Sequence, residues 1–163
     1  MGDDGDITKA GDPDRRSPEE ILYTEKFSIR GNDFEHGGSV AARVKAILKQ
    51  LGVPTDAVRR LSIANFEAEM NVIMYAEEAE LELQVLSDRV RVILADRGQG
   101  IPKIELAMQE GYSTATPEMR QRGFGAGLGL PNIKRNSDDF EITSEVGVGT
   151  TLRYAVRFEE SQG

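Results

Sequence analysis

Apolar and polar residues begin to alternate, in part, over Leu22-Tyr23-Thr24-Glu25-Lys26-Phe27-Ser28-Ile29, which predicts an edge strand at 21–30. Asn32, Asp33, Gly37 and Gly38 then mark a loop. Val40, Val44, Ile47, Leu48 and Leu51 recur at helical spacing, and Gly52 is a stop. Pro54 and Thr55 open a second helix, with Thr55 the expected N-cap, and the pattern runs to about residue 76. That helix is apolar on more than one side (Val58, Leu61, Ile63, Ala64, Ala68, Met70, Val72, Met74), which predicts burial between other elements. Leu81, Leu83 and Val85 alternate with polar residues, and so do Val90, Val92 and Leu94, across the turn Ser87-Asp88-Arg89. The second of these strands is expected to end at Ala95-Asp96, and a short helix to follow at 104–110. Residues 111–127 read as a long loop, a length that in a compact domain points to function or mobility. A helix entered through glycines is expected at 128–138, then a hairpin of 141–144 and 150–158 across Val146-Gly147-Val148-Gly149. The order predicts an α+β fold, a two-layer α/β sandwich in which a mixed β-sheet carries helices on one face.

Composition narrows the setting. A chain of 163 residues suits one domain. Residues 1–18, rich in Asp, Gly and Pro and almost without large apolar groups, read as a disordered tail, leaving 19–160 as a single domain. Cysteine is absent, so there is neither a disulfide nor a thiolate metal site. No apolar run approaches the ~20 residues of a membrane span. The acidic N-terminus lacks the basic start and apolar stretch of a signal peptide, so the expected location is cytoplasmic, with no membrane partner. A net charge of −8 disfavours nucleic acid as a partner and serves solubility.

Three stretches carry candidate chemistry. On the second helix, Glu67 and Asn71 stand four apart and share a face. Asn offers a neutral oxygen to Mg²⁺, and Glu can accept a proton or orient a nucleophile, although such a pair is also ordinary helix surface. Asp96-Arg97-Gly98-Gln99-Gly100-Ile101 sets a carboxylate at a strand end beside a backbone that a ligand can approach closely. That carboxylate could accept a hydrogen bond from an exocyclic amine; the plain alternative is a glycine-rich turn. Gly123-Phe124-Gly125-Ala126-Gly127-Leu128-Gly129-Leu130 feeds a helix, an arrangement that suits a phosphate cradle, since free N–H groups and the helix dipole favour anions. It is not a Walker A loop, because no Gly-Lys-Ser/Thr follows, and a dinucleotide fingerprint fits poorly. Alternating glycine over seven residues makes a pure hinge the weaker explanation.

Taken in order, and closed by Gly147-Val148-Gly149-Thr150, these motifs resemble those of the GHKL ATPases over about residues 27–158. Within that superfamily the chain is similar to the anti-sigma regulatory factors and switch-protein serine/threonine kinases, through Tyr112-Ser113-Thr114 and the run from Gly125 to Arg135. The resemblance implies a histidine-kinase-like ATPase fold, ATP and Mg²⁺ as cofactors, and transfer of phosphate to a STAS-domain partner in a bacterial regulatory switch. It implies Glu67 as general base or water-orienting carboxylate and Asn71 as Mg²⁺ ligand. Asp96 would read the adenine amine with help from Thr150. Gly98, Gly100 and Ile101 would shape the adenine pocket, and Gly125, Gly127, Leu128 and Gly129 would wrap the phosphates under a lid at 111–124. The alternative it leaves open is a nucleotide-gated module that sequesters a sigma factor or STAS protein without phosphotransfer. A homodimer is compatible with it, with no interface legible. A detached histidine-kinase ATPase domain fits less well, because no histidine-bearing helix pair is evident.

Glu69, Met70 and Arg97 depart from the family pattern. Helical phase turns Glu69 about 200° from Glu67, which predicts that it faces outward. His36, the single histidine, is expected to be an exposed loop residue, and Met70 and Met74 to pack in the core. Arg120 and Arg122 of the lid could meet a γ-phosphate or simply be solvated.

Overall fold

The computed structural model describes residues 19–109 and 129–159. The expected N-terminal tail, the lid with Arg120 and Arg122, and Gly125, Gly127 and Leu128 lie outside the described residues.

Strand β1 (Ile21–Arg30) leads through a 3₁₀ turn (Phe34–His36) into α1 (Ser39–Gln50) and α2 (Thr55–Tyr75). Then come β2 (Ala76–Leu86), β3 (Arg89–Gly98), a one-turn helix α3 (Ile104–Ala107), α4 (Gly129–Arg135), β4 (Asp139–Glu145) and β5 (Gly149–Arg157). Among the described residues the sheet has five strands in the order β1-β2-β3-β5-β4, so β1 is an edge strand as expected.

The two-layer α/β sandwich is present, but the sheet is not mixed: each of its pairings is antiparallel. The connections explain this. α1 and α2 together bring the chain back to the end of the sheet where β1 stopped, and the Gly31 and Asn32 N–H groups bond the carbonyls of Glu77 and Ile73 there. β2 therefore starts beside the end of β1 and runs against it. The tight turns at 87–88 and 146–148 reverse the chain twice more, and β5 slots between β3 and β4.

Alternation decides which residues enter the core. Leu81, Leu83, Val90, Val92, Leu94, Leu152, Tyr154 and Val156 point from the sheet to the helical layer, where Val44, Leu48, Leu61, Ala64, Ala68, Val72 and Ile73 meet them. Met70 is buried and Met74 packs against the same core, as expected. The intervening residues form a polar outer face, on which Arg91 donates to Gln84 (2.7 Å) and Glu19 (2.6 Å).

Helix ends differ in detail. Pro54, extended at φ −53° and ψ 140°, occupies the N-cap position of α2, so Thr55 is the first helical residue and not the cap. The helix after the glycines stops at Arg135, where Ser137 Oγ donates to the Ile133 carbonyl and Asp138 N–H leaves for the Ala155 carbonyl of β5. β3 continues to Gly98, two residues beyond the expected end, because Gly98 N–H bonds the Val148 carbonyl (3.1 Å).

One expectation is overturned. Glu69 does turn away from Glu67, but into the protein, where it is 1% exposed. Its Oε1 accepts from Ala41 N–H (2.8 Å), and its Oε2 from the N–H groups of Gly38 (2.9 Å) and Val40 (3.3 Å). The cap residue of α1 is Gly38, left-handed at φ 92° and without a side chain to accept from the first turn. Glu69 supplies that missing acceptor from the neighbouring helix, and its charge suits the positive end of the α1 dipole. Helical phase identified the direction of the side chain; it could not show that α1 lay there.

Candidate nucleotide site

The expected site residues fall into two groups, one on the helical layer and one at the end of the sheet. In the first, Glu67 and Asn71 lie one turn apart on α2, both half-buried. α4 begins against them. A Cβ on Gly129 would stand 3.0 Å from Asn71 Oδ1, so this glycine backbone touches the amide closely. One turn into α4, Asn132 Nδ2 reaches Glu67 Oε1 at 3.5 Å, and Asn132 Oδ1 accepts from Arg135 (2.9 Å).

In the second group, Asp96 sits near the end of β3, and its Oδ1 accepts the Thr150 N–H (3.0 Å) of β5. Burial pushes the Asp96 carboxyl above the ordinary carboxylate range, and the Thr150 N–H partly opposes the shift. Gly149 is required here, since a Cβ would overlap the Asp96 carbonyl oxygen. Gly100 takes a left-handed φ of 74°, and a Cβ there would strike the Glu145 carbonyl. This lets 99–101 fold over the β4–β5 turn: Gly147 N–H bonds the Gln99 carbonyl (2.9 Å), and Ile101 N–H donates to Ser144 Oγ (2.7 Å). Ser144 Oγ also meets Thr150 Oγ1 (2.8 Å).

The groups join at the C-terminal end of α2, where a Cβ on Gly98 would lie 3.1 Å from Ala76 Cα and 3.3 Å from the Tyr75 carbonyl oxygen. Asn71 is one turn from that junction. Of the expected site residues, Gly129 thus packs against Asn71, one turn from Glu67 on α2, and Asp96 bonds Thr150, while Gly98, Gly100 and Ile101 lie against the β4–β5 turn beside them. Ser144 and Asn132 were missed. Each is an unremarkable polar residue in sequence, and only the pairing of β4 with β5, or the docking of α4 on α2, brings it to the site.

The sequence profile of the histidine kinase-like ATPase domain matches residues 32–156. The chain belongs to that family. It is 33% identical over 120 residues to the serine/threonine-protein kinase RsbT of Bacillus subtilis, covering 70% of this chain and 84% of RsbT. It is 29% identical over 121 residues to the anti-sigma F factor of Clostridium beijerinckii, covering 71% of this chain and 81% of that factor. Among solved structures, the SiaB–SiaC complex from Pseudomonas aeruginosa matches with a TM-score of 0.56 at 13% identity, over 85% of this chain and 90% of the matched one. The mycobacterial sensor histidine kinase MprB matches with a TM-score of 0.51 at 13% identity, over 83% of this chain and 99% of the other. At such identities these two likenesses establish the fold. The family is therefore a GHKL-type, nucleotide-binding one, related to the kinases of anti-sigma regulatory systems.

The family's departures have local partners. Arg97 lies exposed on ion pairs with Glu77 (3.2 Å) and Glu78 (3.1 Å) of β2. His36 is exposed, as expected, and its Nδ1 meets the Asp33 carboxylate at 2.9 Å; that contact raises its pKa. The residues present fit Mg²⁺ and ATP. Asn71 provides a neutral oxygen beside the Gly129 backbone, where a Cβ would crowd it at 3.0 Å, and Asp96 keeps one carboxylate oxygen clear of the Thr150 N–H. Among the described residues no cluster of three His, Cys, Asp or Glu side chains forms a metal site of its own. No helix among them is long and apolar enough to cross a membrane.

Proposed function

We propose that residues 19–160 form one ATP-dependent serine/threonine protein kinase domain of the anti-sigma type, acting on a STAS-domain partner in a regulatory switch. The observation that carries this reading is the docking of the glycine-entered helix α4 on α2, Gly129 against Asn71 and Asn132 against Glu67, which sets a carboxylate suited to accept a proton beside an amide suited to hold a metal. The likeness to RsbT, a serine/threonine-protein kinase by name, supports it.

Bound Mg²⁺·ATP supplies the phosphoryl group and the charge-neutralising cation. Asn71 Oδ1 would hold the metal, and Asp96 with Thr150 the adenine. Gly125, Gly127, Leu128 and Gly129 would face the phosphates. Asn132 engages Glu67 Oε1, which leaves Oε2 to take the proton of an incoming Ser or Thr hydroxyl. Catalysis of this kind rests on positioning and electrostatics more than on covalent chemistry.

The test is transfer from γ-labelled ATP in extract of the source organism. Wild type is expected to label a small protein with acid-stable phosphate. Glu67→Ala should lower that labelling about a hundredfold or more, the usual range for a lost general base, while ATP affinity holds. Equal labelling by the variant would remove Glu67 from its role. The anti-sigma F relatives favour a second reading, nucleotide-gated sequestration of a sigma factor or STAS protein. It predicts ATP-dependent partner capture with no Glu67-dependent label.

A further inference from the structure

Ser144 belongs to β4, a strand that carries none of the other proposed nucleotide contacts, yet its hydroxyl sits among three polar atoms of the nucleobase end. It accepts from Ile101 N–H (2.7 Å), lies 3.2 Å from the Gly149 carbonyl oxygen and 2.8 Å from Thr150 Oγ1. Ser144 is half-buried and Thr150 is buried.

A hydroxyl has one proton and two lone pairs. One lone pair of Ser144 is taken by Ile101 N–H. Satisfying both remaining contacts requires the Ser144 proton to go to the Gly149 carbonyl and its second lone pair to accept the Thr150 proton. If Ser144 donated to Thr150 instead, its contact with the Gly149 carbonyl would carry no hydrogen bond. In the fully satisfied arrangement Thr150 has used its only hydroxyl proton, so Thr150 Oγ1 has only lone pairs left to offer. Beside it, Asp96 Oδ1 is engaged by the Thr150 N–H, and Oδ2 is a further acceptor.

We propose that Ser144 is a positioning and specificity-determining residue: it holds the Thr150 hydroxyl as an acceptor, so that the Asp96–Thr150 cluster takes a purine with an exocyclic amine and rejects a 6-oxo purine. The proposal rests on the nucleotide reading of the site. At the 6-position a 6-oxo purine would set a carbonyl oxygen, in place of a donating amine, against the acceptor oxygens of Asp96 and Thr150, with no proton between them; its N1–H is displaced from that position by one ring atom. Without the Ser144 hydroxyl, Thr150 is free to rotate and donate, and that penalty shrinks. Ile101 N–H loses its partner in the same substitution, which loosens the Gly100–Ile101 backbone for either nucleotide alike.

The experiment is calorimetric titration of the full chain with ATP and with ITP in Mg²⁺. Wild type is expected to prefer ATP. Ser144→Ala should narrow the ATP-to-ITP ratio about three- to tenfold, the worth of one hydrogen bond. Ser144→Thr, which restores the hydroxyl, should keep the wild-type ratio. Thr150→Val, which deletes the oriented group itself, should narrow the ratio as Ser144→Ala does, and it serves as the test if Ser144→Ala does not fold. A structural role alone would weaken both nucleotides by one factor and leave the ratio fixed; that result, or an unchanged ratio in Thr150→Val, overturns the proposal. Equal affinity of wild type for ATP and ITP also overturns it, while leaving the ATP site standing. Binding of neither nucleotide by wild type would defeat the nucleotide reading and the proposal together.

Discussion

Glu69 shows how one carboxylate can organise a region remote from any chemistry. It reaches from α2 to three backbone N–H groups at the start of α1, whose own cap position is a glycine. Removing it leaves buried donors unpaired, and each hydrogen bond to a charged group contributes about 1.5–3 kcal/mol. Glu69→Ala is therefore expected to destabilise the fold by about 3 kcal/mol or more, and Glu69→Gln by less, because one amide oxygen can still accept. Urea denaturation measures both; a loss below about 0.5 kcal/mol in the alanine variant would mean that water replaces the cap. Tyr154 is a second such case. Burial pushes its pKa far up, with the Glu69 charge adding to the effect, so the hydroxyl stays protonated and donates to Asn65 Oδ1 at 2.7 Å.

At the scale of elements, α2 is the organiser. One face presents Glu67 and Asn71, another sends Glu69 to α1, and Asn65 reaches β5. α4 is short, and Ile133, fully buried in the core, fixes its position, with Pro131 also buried. Its first residue, Gly129, is where packing and chemistry conflict. Ala is a better helix former than Gly, by less at a first position than the about 0.5–1 kcal/mol of a helix interior, yet its Cβ would crowd the Asn71 amide. Gly129→Ala should therefore weaken Mg²⁺·ATP binding several-fold without lowering the melting temperature. A parallel fall in melting temperature would point instead to damaged packing between α4 and α2.

At the scale of the whole molecule, the nucleotide would bridge the layers, touching α2 and α4 through its phosphate end and the β3–β5 end of the sheet through its base. Ligand that binds only the folded state stabilises it, by about 2.7 kcal/mol at a hundred times its Kd. For a domain of this size that corresponds to a rise of roughly 5–10 °C in melting temperature. The rise is expected with Mg²⁺·ATP and should shrink when EDTA removes the metal, since Asn71 alone is a weak anchor for phosphate. A rise that is indifferent to EDTA would take Asn71 out of the metal's coordination.

Local pattern determined the order of elements, the edge position of β1, the burial of α2 and the pairing of Glu67 with Asn71, because periods of 3.6 and 2 are written in neighbouring residues. The glycines at 98, 100 and 129 stood out in sequence as candidate ligand contacts; the protein atoms they pack against, Ala76, Glu145 and Asn71, were not legible. Three features were decided only by tertiary structure. The sheet is antiparallel throughout because α1 and α2 return the chain to the end it left, a property of how two helices pack and not of any strand's sequence. Glu69 is a buried cap, not a solvated surface residue, because α1 begins opposite it. Ser144 and Asn132 join the site across 43 and 65 residues of chain, by strand register and helix docking, and no spacing along the sequence encodes such contacts.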